Sequence, residues 1–302
     1  MIRIQRILCP TDLSTEADEA LRYALAFAGA YQAKLILFFC QRPNSTAEWV
    51  KGTRAKHLFE QSLLTRLDGR ELRALDWEGV VGEGDNVGME IAKEAAHRNV
   101  DIIVMRSRRR PHAAMLLGST AETVCTSAPC PVLITHPGER EWVGLTTGEF
   151  DLRRVLVASD FSPDSEIALS FGLSLAEEYQ AEVHLLHVIV EEKQVEPEIA
   201  WSEVSLESLY EEAKGRLEKA IPEEALLWCT VVTAACCGKP SEEILAYAKE
   251  QQTDLICIGA NGKGFTLGTA FGSTVDRVLR RAPCPVLVAR PLKSATATAK
   301  AA

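Results

Sequence analysis

The residues that most clearly indicate a binding site are glycines that follow an apolar run in the second half of the chain. The run leads into Gly259-Ala-Asn-Gly262-Lys-Gly264, and nine residues separate Gly262 from Gly272-Ser273-Thr274. Glycine permits positive φ and close approach to a ligand, and a helix that begins at Gly272 directs free amides to the same place. The spacing predicts a cradle for phosphate, with the Lys263 ammonium and the hydroxyls of Ser273 and Thr274 as further donors.

A carboxylate is expected beside that cradle. Asp160 directly follows the short apolar run Arg154-Val-Leu-Val-Ala158. In an open α/β sheet, ligands bind beyond the carboxyl ends of the strands, so Asp160 and the glycines should lie at one edge. A carboxylate there suits a ribose hydroxyl or a metal ion.

The elements that position these residues occur twice along the chain. Ile4–Cys40 aligns without gaps on Leu152–Val188, and the identities include Asp12 with Asp160 and Ser14 with Ser162. Two later blocks also repeat: Gly118-Ser-Thr with Gly272-Ser-Thr, and Ala128-Pro-Cys-Pro-Val-Leu with Ala282-Pro-Cys-Pro-Val-Leu. The chain therefore carries an internal duplication.

Each copy alternates short apolar runs with helical patterns, which predicts strands and helices of an open parallel sheet. Ser162 followed by Pro163 predicts a helix start, and the stretch between the second strand and Asp101 is interpreted as a long, variable helical segment. The fold class is α/β, with two tandem, doubly wound, Rossmann-like domains. The predicted boundaries are 1–137 and 152–292, with a linker at 138–151 and a disordered tail at 293–302.

Composition limits the partners. Thirty-three basic against 42 acidic residues give a formal charge of -9, which disfavours nucleic acid. No apolar stretch approaches the length of a membrane span, and no signal-peptide pattern is recognised, so we expect a cytoplasmic protein without a membrane partner. Nine cysteines without zinc-ligand spacing suit reduced thiols.

The glycine spacing, together with Asp160 and the closing Ala-Pro-Cys-Pro-Val block, resembles the universal stress protein family. Its nucleotide-binding members share Gly-x2-Gly-x9-Gly-(Ser/Thr), met here by Gly259, Gly262, Gly272 and Ser273. The resemblance implies an adenine nucleotide alpha hydrolase-like fold and ATP as the ligand, with Mg²⁺ carried by its phosphates. It implies the following binding residues: Ala158, Ser159 and Val188 near adenine; Asp160 and Gly259 near ribose; and Asn261, Gly262, Lys263, Gly272, Ser273 and Thr274 near the phosphates.

The first copy departs from this pattern. Arg106 and Arg109 replace the two leading glycines, and only eight residues precede Gly118. We expect that this copy does not bind ATP in the family's way, although the cluster Arg106–Arg110 remains a candidate for another anion or subunit. The resemblance also implies pairing of the last strands, which would make the two domains an intramolecular pseudo-dimer and leave room for a homodimer.

Several other residues have ordinary structural interpretations. Asp12 is expected only to hold its own loop, and Cys236-Cys237 to pack on a strand rather than act as a redox switch. His184 and His187 alternate on a strand without a third metal ligand in sequence.

The sequence lacks a Gly-x4-Gly-Lys-(Ser/Thr) loop and an evident catalytic set, so no catalytic residue is assigned. The favoured hypothesis is a stress-response sensor or adaptor that binds ATP in its second domain with little or no turnover. Two alternatives stay open: a slow ATPase or phosphotransferase, and a chaperone-like module in which both sites are vestigial. The stress and the protein partner are not specified by the sequence.

Overall fold

A computed structural model describes residues 2–41, 53–66, 75–107, 118–136, 140–143, 150–190, 203–262 and 272–291. They fall into two units. The N-terminal unit contains Arg3–Glu139 together with Val143–Phe150, and the C-terminal unit contains Asp151–Ala289 together with Arg140–Trp142.

The N-terminal unit has five strands and four α-helices among its described residues. In chain order they are β1 (Arg6–Pro10), a 3-10 turn (Thr15–Ala17), α1 (Asp18–Tyr31), β2 (Lys34–Gln41), α2 (Thr53–Arg66), β3 (Trp77–Glu83), α3 (Val87–His97), β4 (Ile102–Arg106), α4 (Ser119–Ser127) and β5 (Val132–Thr135). The strands are parallel, in the order β3-β2-β1-β4-β5.

The C-terminal unit repeats this sequence of elements. They are β6 (Arg154–Ala158), α5 (Pro163–Tyr179), β7 (Glu182–Ile189), α6 (Glu203–Ala220), a 3-10 helix (Glu223–Leu227), β8 (Val231–Cys237), α7 (Pro240–Glu250), β9 (Leu255–Gly259), α8 (Ser273–Arg281) and β10 (Val286–Ala289). Its strands are also parallel, in the order β10-β9-β6-β7-β8. The predicted doubly wound α/β class is confirmed.

The central strands form the core of each unit because their apolar runs are covered on both faces. All five residues of β9 are buried, as are Val155–Ala158 of β6. Continuous apolar runs of this kind are typical of parallel strands with helices on both sides. The order of the strands places the carboxyl ends of β6, β7 and β9 next to one another.

The sequence interpretation missed strand β3 inside the segment 42–100. Glycines at 79 and 82 interrupt its apolar pattern, and the neighbours explain them. A β-carbon on Gly82 would lie 2.6 Å from the Phe38 ring, and one on Gly79 would lie 2.8 Å from Glu60 Cγ. Large side chains of β2 and α2 fill the space over β3, so its glycines reflect packing rather than a turn.

The segment predicted as a linker contains buried residues. Trp142 and Val143 are 1% and 2% exposed, and the Trp142 ring lies 6.5 Å from the Tyr179 ring within the C-terminal unit. Val143 bridges Phe150 within the N-terminal unit. In the part of the chain that is described, no helix has the length and apolarity needed to cross a membrane.

Candidate functional site

The predicted site residues of the C-terminal unit that are described lie at the carboxyl ends of three strands. Ala158, the last residue of β6, pairs with Ile258 of β9 and with Leu186 of β7. The Ser159 amide continues this pairing by donating to the Leu186 carbonyl at 2.8 Å. Ala158 and Val188 are both 8% exposed, so they offer an apolar floor beside the polar residues that follow.

Asp160 is held in a tight turn immediately after β6. Its Oδ1 accepts a hydrogen bond from the Ser162 amide at 3.0 Å, and Phe161 between them has a left-handed φ of 59°. Ser159 Oγ accepts from the Phe161 amide at 3.2 Å. These short-range bonds fix the carboxylate relative to the end of the strand.

The other carboxylate oxygen lies against Gly262. A β-carbon on residue 262 would stand 2.6 Å from Asp160 Oδ2, closer than real β-carbons approach oxygen. Glycine at this position therefore allows the carboxylate and the loop after β9 to come together.

Gly259 allows a different close approach. A β-carbon there would lie 2.8 Å from the carbonyl carbon of Asp164 and 2.8 Å from the amide nitrogen of Ser165. Both atoms belong to the first turn of α5, which starts as predicted at Ser162-Pro163, with the Ser165 amide donating to Ser162 Oγ. The backbone of α5 thus packs directly on the last residue of β9.

Of the two properties that glycine offers, positive φ is not the one used at Gly259, Gly262 or Gly272. Gly272 has φ −60° and ψ 137°, and the described glycines with positive φ are Gly118 and Gly238. Close packing explains Gly259 and Gly262. For Gly272, the nearest described atoms to an added β-carbon are 3.9 and 4.0 Å away, at Val275 and the Ala260 carbonyl. Among the described residues, neither backbone conformation nor steric contact explains why residue 272 is glycine.

Helix α8 begins at Ser273 beside the end of β9, with Gly272 as its N-cap. A glycine cap supplies no side-chain hydrogen bond, so the first-turn amides keep their capacity to donate. Ser273 is exposed and Thr274 is partly exposed. Lys263, which the sequence also assigned to the site, lies outside the described residues.

Two features near the site were missed by sequence reasoning. Asp164 accepts two hydrogen bonds from Asn261, one from its amide at 3.0 Å and one from its side chain at 2.9 Å. The Phe161 ring lies 4.5 Å from the His187 ring, and the Arg216 guanidinium lies over the Phe161 ring, 3.8 Å from its centre. The contact of Asp164 was missed because an acidic residue in a first helical turn is usually explained by its favourable interaction with the helix dipole. That explanation gives no reason to expect a contact with a distant loop.

His187 also fastens the turn of Asp160. Its Nδ1 donates to the Ser159 carbonyl at 2.7 Å, which ties β7 to the residue before Asp160. His184, on the same strand, shares a 2.8 Å hydrogen bond with the Tyr247 hydroxyl. Within the described ranges, no three residues of the metal-binding types come together.

The corresponding edge of the N-terminal unit keeps the aspartate turn but differs elsewhere. Asp12 Oδ1 accepts from the Ser14 amide at 3.0 Å, and Leu13 has φ 60°, as in the second copy. At the position of Gly259, Arg106 pairs its Nε with Glu19 Oε2 at 3.3 Å, and both side chains are 13% exposed. Residues 108–110 of the arginine cluster lie outside the described residues.

The first helical turn differs accordingly. In the N-terminal unit it is a 3-10 turn, and α1 begins only at Asp18, whereas α5 is α-helical from Pro163. In the C-terminal unit, the backbone of the first turn of α5 lies 2.8 Å from where a side chain on residue 259 would begin. The large side chain of Arg106, at the equivalent position of the N-terminal unit, therefore requires a first turn with a different backbone conformation.

The cysteines are free thiols. Burial raises the pKa of Cys236 to about 11, with further contributions from Glu243 and Cys237. A thiol with so high a pKa is almost entirely protonated at neutral pH, which favours packing over redox chemistry for Cys236.

Comparisons with known proteins agree with this architecture. A model described as the universal stress protein family matches residues 3–136 and again residues 151–290. A universal stress protein of Mycolicibacterium smegmatis is 26% identical over 313 residues, covering 94% of this chain and 97% of that protein. Another, from Methanocaldococcus jannaschii, is 31% identical over 156 residues, covering 49% of this chain and 88% of that protein.

The fold is shared with solved structures. The crystal structure of a universal stress protein from Archaeoglobus fulgidus aligns with a TM-score of 0.65 and 23% identity, covering 97% of this chain and all of that chain. Because the family model matches most of the sequence in two successive stretches, the chain belongs to the universal stress protein family, with two tandem copies of its domain.

Proposed function

We propose that the C-terminal unit binds one ATP at the carboxyl ends of β6, β7 and β9. The observation that carries the proposal is the contact geometry of Asp160 and Gly262, in which the carboxylate lies where a side chain at residue 262 would begin. The start of α8, whose N-cap Gly272 supplies no side-chain hydrogen bond, lies beside the same strand end. A carboxylate for ribose and helix amides for phosphate are complementary to a nucleotide.

The assignment of ligand parts follows the family resemblance. Adenine would lie on the apolar floor of Ala158 and Val188 and contact the backbone near Ser159. Ribose would lie near Asp160 and Gly259. The phosphates would lie against Asn261, Gly262, Lys263, Gly272, Ser273 and Thr274.

A divalent cation would enter with the phosphates. Mg²⁺ prefers oxygen ligands and usually retains several waters, with one or two carboxylates and phosphate oxygens completing its shell. The Asp160 carboxylate and the hydroxyls of Ser273 and Thr274 fit that chemistry.

We further propose that the protein is a cytoplasmic stress sensor or adaptor, with ATP as a bound signal rather than a rapidly consumed substrate. The nine free thiols suit a reducing compartment. An ATPase or phosphotransferase is the second candidate, because a carboxylate such as Asp160 would hold a metal beside the proposed phosphates. Phosphate release far below the roughly 1–100 s⁻¹ of working kinases supports the sensor, and release in that range supports the enzyme.

Titration calorimetry with ATP and Mg²⁺ tests the binding proposal. The wild-type chain should bind about one ATP per chain, and Gly262→Arg, which copies the residue type of the first domain, should abolish binding. Gly29→Arg is the matched control, because Gly29 is exposed near the end of α1. Among the described residues, the nearest atom to a β-carbon there is a methyl carbon of Leu75, 3.9 Å away. Two equal sites, no binding by the wild type, or full binding by Gly262→Arg would refute the proposal.

A further inference from the structure

Asp164 connects the first turn of α5 to the loop that follows β9. One oxygen, Oδ2, accepts both the Asn261 amide at 3.0 Å and the Asn261 side-chain nitrogen at 2.9 Å. From the same turn, Ser162 Oγ donates to the Asn261 carbonyl at 3.3 Å. Three hydrogen bonds therefore hold the backbone and the side chain of the residue that precedes Gly262.

The connection is buried and directional. Asp164 is 9% exposed, so its carboxylate has little access to water and depends on these donors. Hydrogen bonds to an ionised carboxylate are stronger than neutral ones, and the start of α5 favours a negative charge. The Asp164 backbone also packs against Gly259. Asp164 therefore contacts the loop at its start, through Gly259, and near its end, through Asn261.

The N-terminal unit lacks the residues that make this connection. In the alignment of the two copies, Glu16 stands at the position of Asp164, Arg106 at that of Gly259, and Arg108 at that of Asn261. Arg106 pairs with Glu19 on α1 instead. The connection therefore accompanies the copy that keeps the glycine loop.

We infer that Asp164 is a positioning residue, which holds the Gly259–Gly262 loop in the form that receives the phosphates of a nucleotide. This inference rests on the proposed ATP site. It predicts a specific effect: loss of Asp164 weakens ligands that carry phosphates more than it weakens the nucleoside. The reason is that Ala158 and Val188, the proposed adenine floor, are held by strand pairing within the sheet.

The test compares ATP with adenosine in Asp164→Ala, Asp164→Asn and wild type. Asp164→Ala should weaken ATP by about tenfold or more and adenosine by less than about twofold, because a charge-assisted connection is lost only at the phosphate loop. Asp164→Asn keeps a carbonyl oxygen that can accept from Asn261, so it should recover most of the ATP affinity. Glu16→Ala in the N-terminal unit is the matched control and should bind both ligands like the wild type.

Hydrogen exchange on the protein without nucleotide gives a second readout. The Asn261 amide should exchange faster in Asp164→Ala than in wild type, and at the wild-type rate in Glu16→Ala. Unchanged exchange, or equal losses for ATP and adenosine, would overturn the positioning role. Failure of the wild type to bind ATP would instead refute the proposed site, while the exchange measurement would still test whether Asp164 holds the loop.

Discussion

Replacing Gly259 with alanine gives the sharpest test of how the site is packed. The added β-carbon would lie 2.8 Å from two backbone atoms of α5, the Asp164 carbonyl carbon and the Ser165 nitrogen. Relief to an ordinary contact requires a shift of about 0.6 Å. Backbone atoms of a helix cannot rotate away, so the first turn of α5 or the end of β9 must move.

The expected magnitude follows from two opposing effects. Overpacking of a tight site costs about 1–3 kcal/mol, and the smaller backbone entropy of alanine in the unfolded chain offsets about 0.5–1 kcal/mol. Gly259→Ala should therefore destabilise the C-terminal unit by about 1 kcal/mol, and by at most about 2.5 kcal/mol. For a unit of this size, that corresponds to a fall in Tm of about 2–4 °C, and of at most about 10 °C.

Two further alanine variants make the experiment specific. At Gly262 the added β-carbon meets the far end of a carboxylate, Asp160 Oδ2, which can rotate, so stability should change by less than about 0.5 kcal/mol while ATP affinity falls. At exposed Gly29, on α1, alanine should raise stability by up to about 1 kcal/mol.

The assay is calorimetric unfolding with and without ATP. The transition that ATP shifts belongs to the C-terminal unit, and Gly259→Ala should lower that transition. A Tm equal to or above that of the wild type would refute the packing argument. An equal loss in Gly262→Ala would show that backbone contact is not the distinguishing feature of Gly259.

Two other predictions concern charge. Asp160→Asn keeps the Oδ1 acceptor of its turn but loses the charge, so titration calorimetry should show ATP binding at least about tenfold weaker than in the wild type. The matched variant Asp12→Asn should bind ATP like the wild type. Equal ATP affinity in the two variants would mean that Asp160 only holds its turn. Burial raises the pKa of Cys9 and of Cys125 from 9.0 to about 12, so their stabilising contribution is complete below pH 9 and is lost as pH rises toward 12. Urea unfolding should show a fall with pH that Cys9→Ala makes shallower by about 1.4 kcal/mol per pH unit, and an unchanged slope would contradict the assignment.

The architecture was readable from the sequence because the duplicated apolar runs are strong signals. Continuous runs such as Leu255–Ile258 predict parallel strands with both faces covered, and Ser162-Pro163 predicts a helix start. Both interpretations were confirmed. Strand β3 was missed because its glycines break the pattern, and the reason for them lies in Phe38 and Glu60, which are distant in sequence.

The site was only partly readable for a related reason. The spacing of the glycines indicated where the loop is, but not why each residue is glycine. Glycine permits both positive φ and close approach, and close contact with Asp160 and with the backbone of α5 is the reason at Gly262 and Gly259. The contact of Asp164 with Asn261 joins residues 97 positions apart, so no local sequence pattern predicts it.

The two copies separate what the fold needs from what a ligand would need. The aspartate turn is kept in both units with the same geometry, at Asp12 and at Asp160, so it serves the chain itself. Arg106 with Glu19 shows that the fold accepts a large side chain where Gly259 stands.

Gly272 is the glycine whose identity the fold explains least. Its φ of −60° suits any residue, and among described atoms nothing crowds its α-carbon. An N-cap normally gains from serine, aspartate or asparagine, so glycine there forgoes stability. The ATP complex proposed above supplies a reason, because phosphate would approach the start of α8 more closely than a side chain there allows.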